Sequence, residues 1–185
     1  MNYDDALSTF HEWTKTDSLR RHAYAVEAAM GHYAKHFGED ETAWRITGLL
    51  HDMDYEQHQT LDEHPYVGVA QLREQGYPEP ILDAIMGHAP HTGTPRTTLM
   101  AKALFAVDEL AGFITAVAYV RPTRLAGMKP KSVKKKLKVK TFAAAVNRDD
   151  IREGAADLGI DLTEHIAHVI AGMQADAERL GLTAP

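Results

Sequence analysis

His51 and Asp52 carry the strongest chemical signal in this chain, side by side in the stretch Gly48-Leu49-Leu50-His51-Asp52-Met53. An imidazole next to a carboxylate offers two ligands for a divalent cation, and here both stand among apolar residues. An ionised carboxylate taken out of water must be paired or metal-bound, because burying it alone is costly. Adjacent helical residues point ~100° apart, so the two can share one ion only near a helix end. Two further residues extend the set. His22 lies between Leu19 and Val26, on the border of an apolar stripe, and Asp108 lies in Leu104-Phe105-Ala106-Val107-Asp108-Glu109-Leu110. Two imidazoles and two carboxylates from three segments could hold a divalent cation and leave positions open for water and a substrate oxygen. Each residue taken alone has a plainer reading. His51 and Asp52 could be a solvated helix end, and His22 a hydrogen-bonded boundary histidine. Asp108 could pair with Lys102 or Arg124, although neither has the favoured spacing of three or four residues.

The elements that must position these residues read as helices. Ala6, Phe10 and Trp13 mark a first short helix. Leu19, Ala23, Val26 and Met30 mark a second, capped by Asp17 or Ser18 and closed before Gly38. Asp40 caps a third, with Ile46, Leu49, Leu50 and Met53 as its buried stripe. Val67, Val69, Ala70 and Leu72 form a fourth, from about Pro65 to Gly76, and Pro80 opens a fifth through Ile81, Leu82 and Ile85. A loop is expected over His88–Pro95. A long helix from about Thr97 to Val120 carries Asp108. Beyond Pro122, Gly127 and Pro130, the pattern predicts helices over Val133–Val146 and Asp149–Leu158. A last helix has Leu162, Ile166, Val169, Ile170 and Met173 on one face. No alternating run is bounded by turns, so the expected fold class is all-α.

The order His22, His51-Asp52, Asp108, each in a helical and locally apolar setting, resembles the defining pattern of the HD-domain superfamily of metal-dependent phosphohydrolases. The apolar helix leading into the His-Asp pair matches as well. The resemblance covers about residues 17–125. It implies an HD-domain helical bundle, and the expected organisation is a single domain over 1–185, with 126–185 as a C-terminal helical extension packed on it. It implies His22, His51, Asp52 and Asp108 as metal ligands, with Asp52 also catalytic, holding the attacking water. His64 and His88 stand where two-metal relatives place ligands of a second ion, which would make Asp52 the bridge. His64 could instead cap the fourth helix, and His88 could sit on an exposed helix end. His91 could contact substrate or be solvated, and Asp54 could orient a ligand. Arg21 (or its neighbour Arg20) and Lys102 are candidate cations for a substrate phosphate, although such residues are usually the wet face of a helix.

Composition narrows the chemistry. The 185 residues contain no cysteine, so disulfides and thiolate sites are excluded, and imidazole and carboxylate must hold any metal: Mn, Fe, Co, Ni, Zn or Mg, one or two per chain. The N-terminal residues are acidic with no apolar signal core, and no run reaches membrane-span length, so the expected setting is cytoplasmic, away from a membrane. Net charge is −6, yet seven of the ten lysines fall between Lys129 and Lys140. That run reads first as a solvated helix over buried Val133 and Leu137. It could also border the site and attract an anionic substrate. A dedicated nucleic-acid surface is disfavoured by the acidic balance and by the absence of interleaved aromatics. The resemblance alone implies a small phosphorylated molecule as the partner, a nucleotide among the candidates. The competing readings are a di-iron oxygenase of the same superfamily and a non-catalytic regulatory or nucleic-acid-binding module using the lysine run.

Overall fold

The computed structural model describes residues 2–184. Its elements follow the apolar periodicity. Helix α1 spans Tyr3–Trp13, α2 Asp17–Phe37, α3 Glu41–Leu50, α4 Tyr66–Glu74 and α5 Glu79–His88. After a 3-10 turn at Pro90–Thr92 come α6 (Leu99–Tyr119), α7 (Pro130–Leu137), α8 (Arg148–Leu158) and α9 (Leu162–Ala175). No strand occurs among the described residues. Polar side chains start several helices by accepting from otherwise unpaired N–H groups. Asp40 accepts from Thr42 and Ala43 at the start of α3, and Thr98 accepts from Ala101 at the start of α6. Gly38 ends α2 with φ 72°, a left-handed conformation that a side chain would strain.

Two 21-residue helices organise the bundle. Helix α2 packs against α3, α6 and α9; α6 also packs against α5 and α8. Surrounded in this way, α6 buries residues around most of its circumference, among them Leu104, Val107, Leu110, Phe113 and Ile114. The apolar core runs without a break from Ala6 in α1 to Leu182 near the C-terminus. Gly48 lets α3 lie close on α2: a Cβ there would come within 2.9 Å of the Glu27 Cα. That approach fixes the end of α3, where His51 and Asp52 begin.

Three expectations need correction. The helix expected over Val133–Val146 stops at Leu137, and residues 138–147 turn instead. The Arg148 guanidinium explains the turn, because it donates to the carbonyls of Leu137, Val139, Phe142, Ala143 and Val146. Those acceptors gather around one charge only if the chain curls, and Ala143 adopts φ 44° to allow it. Second, α2 begins after Thr16, not after Asp17 or Ser18, and Thr16 makes no side-chain cap bond. Third, in α4 the buried positions are Gly68, Val69 and Leu72, while Ala70 is exposed and Val67 half-buried.

Candidate metal centre

Helix α3 ends at Leu50, and His51 continues with helical dihedrals (φ −57°, ψ −37°) before the chain turns away through 51–57. At this end His51 and Asp52 face the same space. His51 is 1% exposed; its Nδ1–H donates to the Gly48 carbonyl at 2.8 Å, which directs Nε2 inward. His88, the last residue of α5, repeats the device by donating from Nδ1 to the Ile85 carbonyl. His64 donates from Nδ1 to Asp54 Oδ1 at 2.8 Å, and Asp54, 1% exposed, is held in turn by the Gly68 N–H at 2.7 Å. His22 enters from α2 and Asp108 from α6, with His22 Nε2 2.9 Å from Asp108 Oδ1.

Asp52 is the hub. Its Oδ2 lies 3.5 Å from His51 Nε2 and 4.0 Å from His22 Nε2. Its Oδ1 lies 3.2 Å from His88 Nε2 and 3.4 Å from His64 Nε2. One carboxylate oxygen thus faces His22 and His51, and the other faces His64 and His88. His51 Nε2 also stands 3.5 Å from Asp108 Oδ1. Two overlapping groups could each hold an ion: His22, His51 and Asp108, and His51, Asp52 and His88. The side chains of Asp52 and Asp108 remain 22% and 21% exposed, so the cluster opens to solvent on one side.

The electrostatics are those of buried opposite charges. Burial opposes a charge on His51, but the carboxylates of Asp52 and Asp108 outweigh it and push its pKa well above the usual histidine value. Burial likewise opposes ionisation of Asp52, yet His51 and His88 hold it well below the usual carboxylate range; His51 and His22 do the same for Asp108. Next to them, Glu109 is pushed up to about 7 by its own burial and by the Asp108 charge, and it accepts from the Asn147 N–H at 3.2 Å.

A divalent ion fits this donor set. His51 Nε2 is buried and has no hydrogen-bond partner, although an unpaired buried nitrogen is normally avoided. It faces two carboxylate oxygens. A divalent cation taking the place of the His51 Nε2 proton would accept that nitrogen's lone pair and theirs and so satisfy all three atoms, and the Nδ1 contacts of His51, His64 and His88 are the outer partners that fix such ligands.

The structure therefore brings together six of the residues singled out in the sequence: His22, His51, Asp52, His64, His88 and Asp108. His91 and the three candidate cations lie elsewhere. His91 is exposed and donates from Nε2 to the His64 carbonyl at 2.8 Å, bracing the loop that carries His64. The Arg21 guanidinium lies against Gly181 near the C-terminus. Lys102 precedes Asp108 by six residues on α6, a rotation of ~600° that leaves it ~120° round the helix from Asp108. Arg20 is spent on the carbonyls of Thr14 and His11. Tyr55 was not singled out: exposed, it stands edge-on to His64 with ring centres 5.2 Å apart. Its place directly after Asp52-Met53-Asp54 was the available clue.

A helical bundle with imidazoles and carboxylates converging from separate helices on one point is the architecture of a helical metal-dependent hydrolase. The chain belongs to the HD domain family, whose model matches residues 19–112. Members of that family are in general metal-dependent hydrolases that bind divalent ions. No curated protein and no solved structure matches the chain. No helix among the described residues is long and apolar enough to cross a membrane.

Proposed function

We propose that the protein is a metal-dependent phosphohydrolase acting on a phosphate ester or anhydride, a nucleotide among the candidates. The observation that carries this reading is the bare, buried Nε2 of His51 facing the oxygens of Asp52 and Asp108. His22, His51, Asp52 and Asp108 would hold one divalent ion. His64 and His88, facing the other oxygen of Asp52, would hold a second, with Asp52 between the two. Bound metal supplies Lewis-acid neutralisation of phosphoryl charge and lowers the pKa of a coordinated water towards ~7. The chain's own part is to keep both oxygens of Asp52 fixed and ionised, so that this carboxylate orients the attacking water. Asp54 and the carbonyls of Gly48 and Ile85 keep the imidazoles aimed. The solvent-open side of Asp52 and Asp108 admits the substrate.

The test is phosphate release from a panel of phosphomonoesters and nucleotides with added Mn, Co, Ni or Mg. Wild type should turn over and Asp52→Ala should not, while both give the same helical circular dichroism. Undiminished turnover by Asp52→Ala would refute the assignment. Iron-dependent oxygen consumption without phosphate release would favour the di-iron oxygenase reading.

A further inference from the structure

Away from the Asp52 cluster, the C-terminal helices leave a cleft. Helices α7 and α8 both pack on α6 and on α9, and hardly on each other. The gap between them is walled by Leu137 of α7, Ile151 of α8 and Leu162 of α9, and its volume is about 170 Å³. Ile151 is buried at its base, and Leu137 and Leu162 are half-buried. Four cations complete the lining: Lys134, Lys138, Arg148 and Arg152. Among the described residues, only Arg152 of these four has a carboxylate within ion-pair distance, Asp149 Oδ1 at 2.7 Å. Sequence neighbours do not dilute the charge either, since no Asp or Glu occurs from Leu110 to Arg148.

We propose that this cleft is a binding site for a small amphiphilic anion, a carboxylate carried on a short apolar chain or ring. Apolar cavities of ~150 Å³ hold a molecule the size of benzene, so the space here suits a tail of about six carbon atoms. The three apolar side chains take the tail, and the cations take the head. Lys138 is exposed, and its ammonium bonds to no other side chain among the described residues, so it is free to close over a carboxylate. Lys134 donates to the neutral Thr163 hydroxyl at 2.8 Å, which leaves its charge uncompensated. Arg148 gives its N–H groups to backbone carbonyls and therefore acts through charge alone. Apolar walls with a few convergent polar groups are the usual composition of a small-molecule site. A cationic amphiphile would be repelled, and an anion without a tail would gain nothing from the walls. A nucleic-acid strand fits less well, because no aromatic ring lines the cleft for a base to stack on.

The experiment is calorimetric titration of wild type, Lys138→Glu and Leu162→Gln with octanoate, with the Ile151 methyl signals followed by NMR; octylamine and acetate are the controls. Octanoate should bind wild type and shift the Ile151 signals, and the two controls should leave them in place. Reading Ile151 isolates this cleft whatever the Asp52 cluster binds. Lys138→Glu should weaken octanoate binding about tenfold, the worth of one charge-assisted hydrogen bond. Leu162→Gln should weaken it as well, by removing an apolar wall. Lys138→Glu changes only an exposed side chain at the end of α7, so it decides the matter even if Leu162→Gln folds poorly. Ile151 signals that stay in place with octanoate or move equally with octylamine, or equal octanoate affinity in wild type and Lys138→Glu, would overturn the site.

Discussion

At the scale of single residues, the candidate centre depends on which nitrogen of each histidine is free. His51, His64 and His88 spend Nδ1 on an oxygen each, and that leaves Nε2 for the space around Asp52. The partner of His64 is the most exposed to test. Asp54 accepts from both His64 Nδ1 and the Gly68 N–H, and an amide in its place cannot accept with both of its terminal atoms. Asp54→Asn should therefore weaken metal binding by about 10–100-fold, the usual cost of losing an outer partner, with the fold intact. Titration calorimetry with Mn on both proteins reads this directly, and equal affinities would remove Asp54 from the account. The residue types and their order were readable in the sequence: His51-Asp52 alone fits a solvated helix end, and its order with His22 and Asp108 is what pointed to a metal. The roles of Arg21 and Lys102 were not readable. Sequence spacing says which face of a helix a residue occupies but not what lies across from it, and Arg21 points to a C-terminal segment 160 residues further on.

At the scale of elements, helices were legible wherever an apolar stripe met one core. Helix α6 was expected over Thr97–Val120 and spans Leu99–Tyr119. The failure over 138–147 has a tertiary cause: Arg148 gathers five carbonyls, a contact that no local propensity encodes. The fit of α8 on α6 was equally hidden. Gly154 is buried against Ala106, and a Cβ there would sit 2.4 Å from the Ala106 Cα, with backbone as the obstacle. Gly154→Ala should force the helices apart and cost about 1–3 kcal/mol, as overpacking does elsewhere. Urea unfolding measures it, and the midpoint should fall with little change in slope. Because α6 carries Asp108, the same substitution should also reduce phosphate release. A Gly154→Ala protein as stable as wild type would mean that α8 does not lie this close.

At the scale of the whole molecule, α9 joins the C-terminal part to the family-matched region through a buried histidine. His165 is fully buried; its Nε2–H donates to the Ala106 carbonyl at 2.8 Å, and its Nδ1 accepts from the Tyr33 hydroxyl at 2.6 Å. Burial, assisted by nearby His168, holds its pKa down at about 4, against an ordinary 6.5. The folded protein thus keeps His165 neutral while the unfolded chain takes up a proton below pH 6.5. Its contribution to stability is complete above pH 6.5 and is lost as pH falls towards 4, by ~3 kcal/mol in all. Unfolding free energies measured across that window should show a slope that His165→Gln reduces by one proton; an unchanged slope would contradict the buried neutral state. The HD bundle was legible as a whole because its chemistry sits on helices with strong apolar patterns. The histidine linking α9 to α2 was not, because nothing in the sequence says that residues 33 and 165 meet.

The central claim is that these scattered imidazoles and carboxylates converge to hold metal. Anomalous diffraction from manganese-soaked crystals addresses it most directly. The account predicts density between His22, His51, Asp52 and Asp108, within bonding distance of His51 Nε2, with a second peak towards His64 and His88 if two ions bind. A map without a peak beside Asp52, from protein that still releases phosphate, would contradict it.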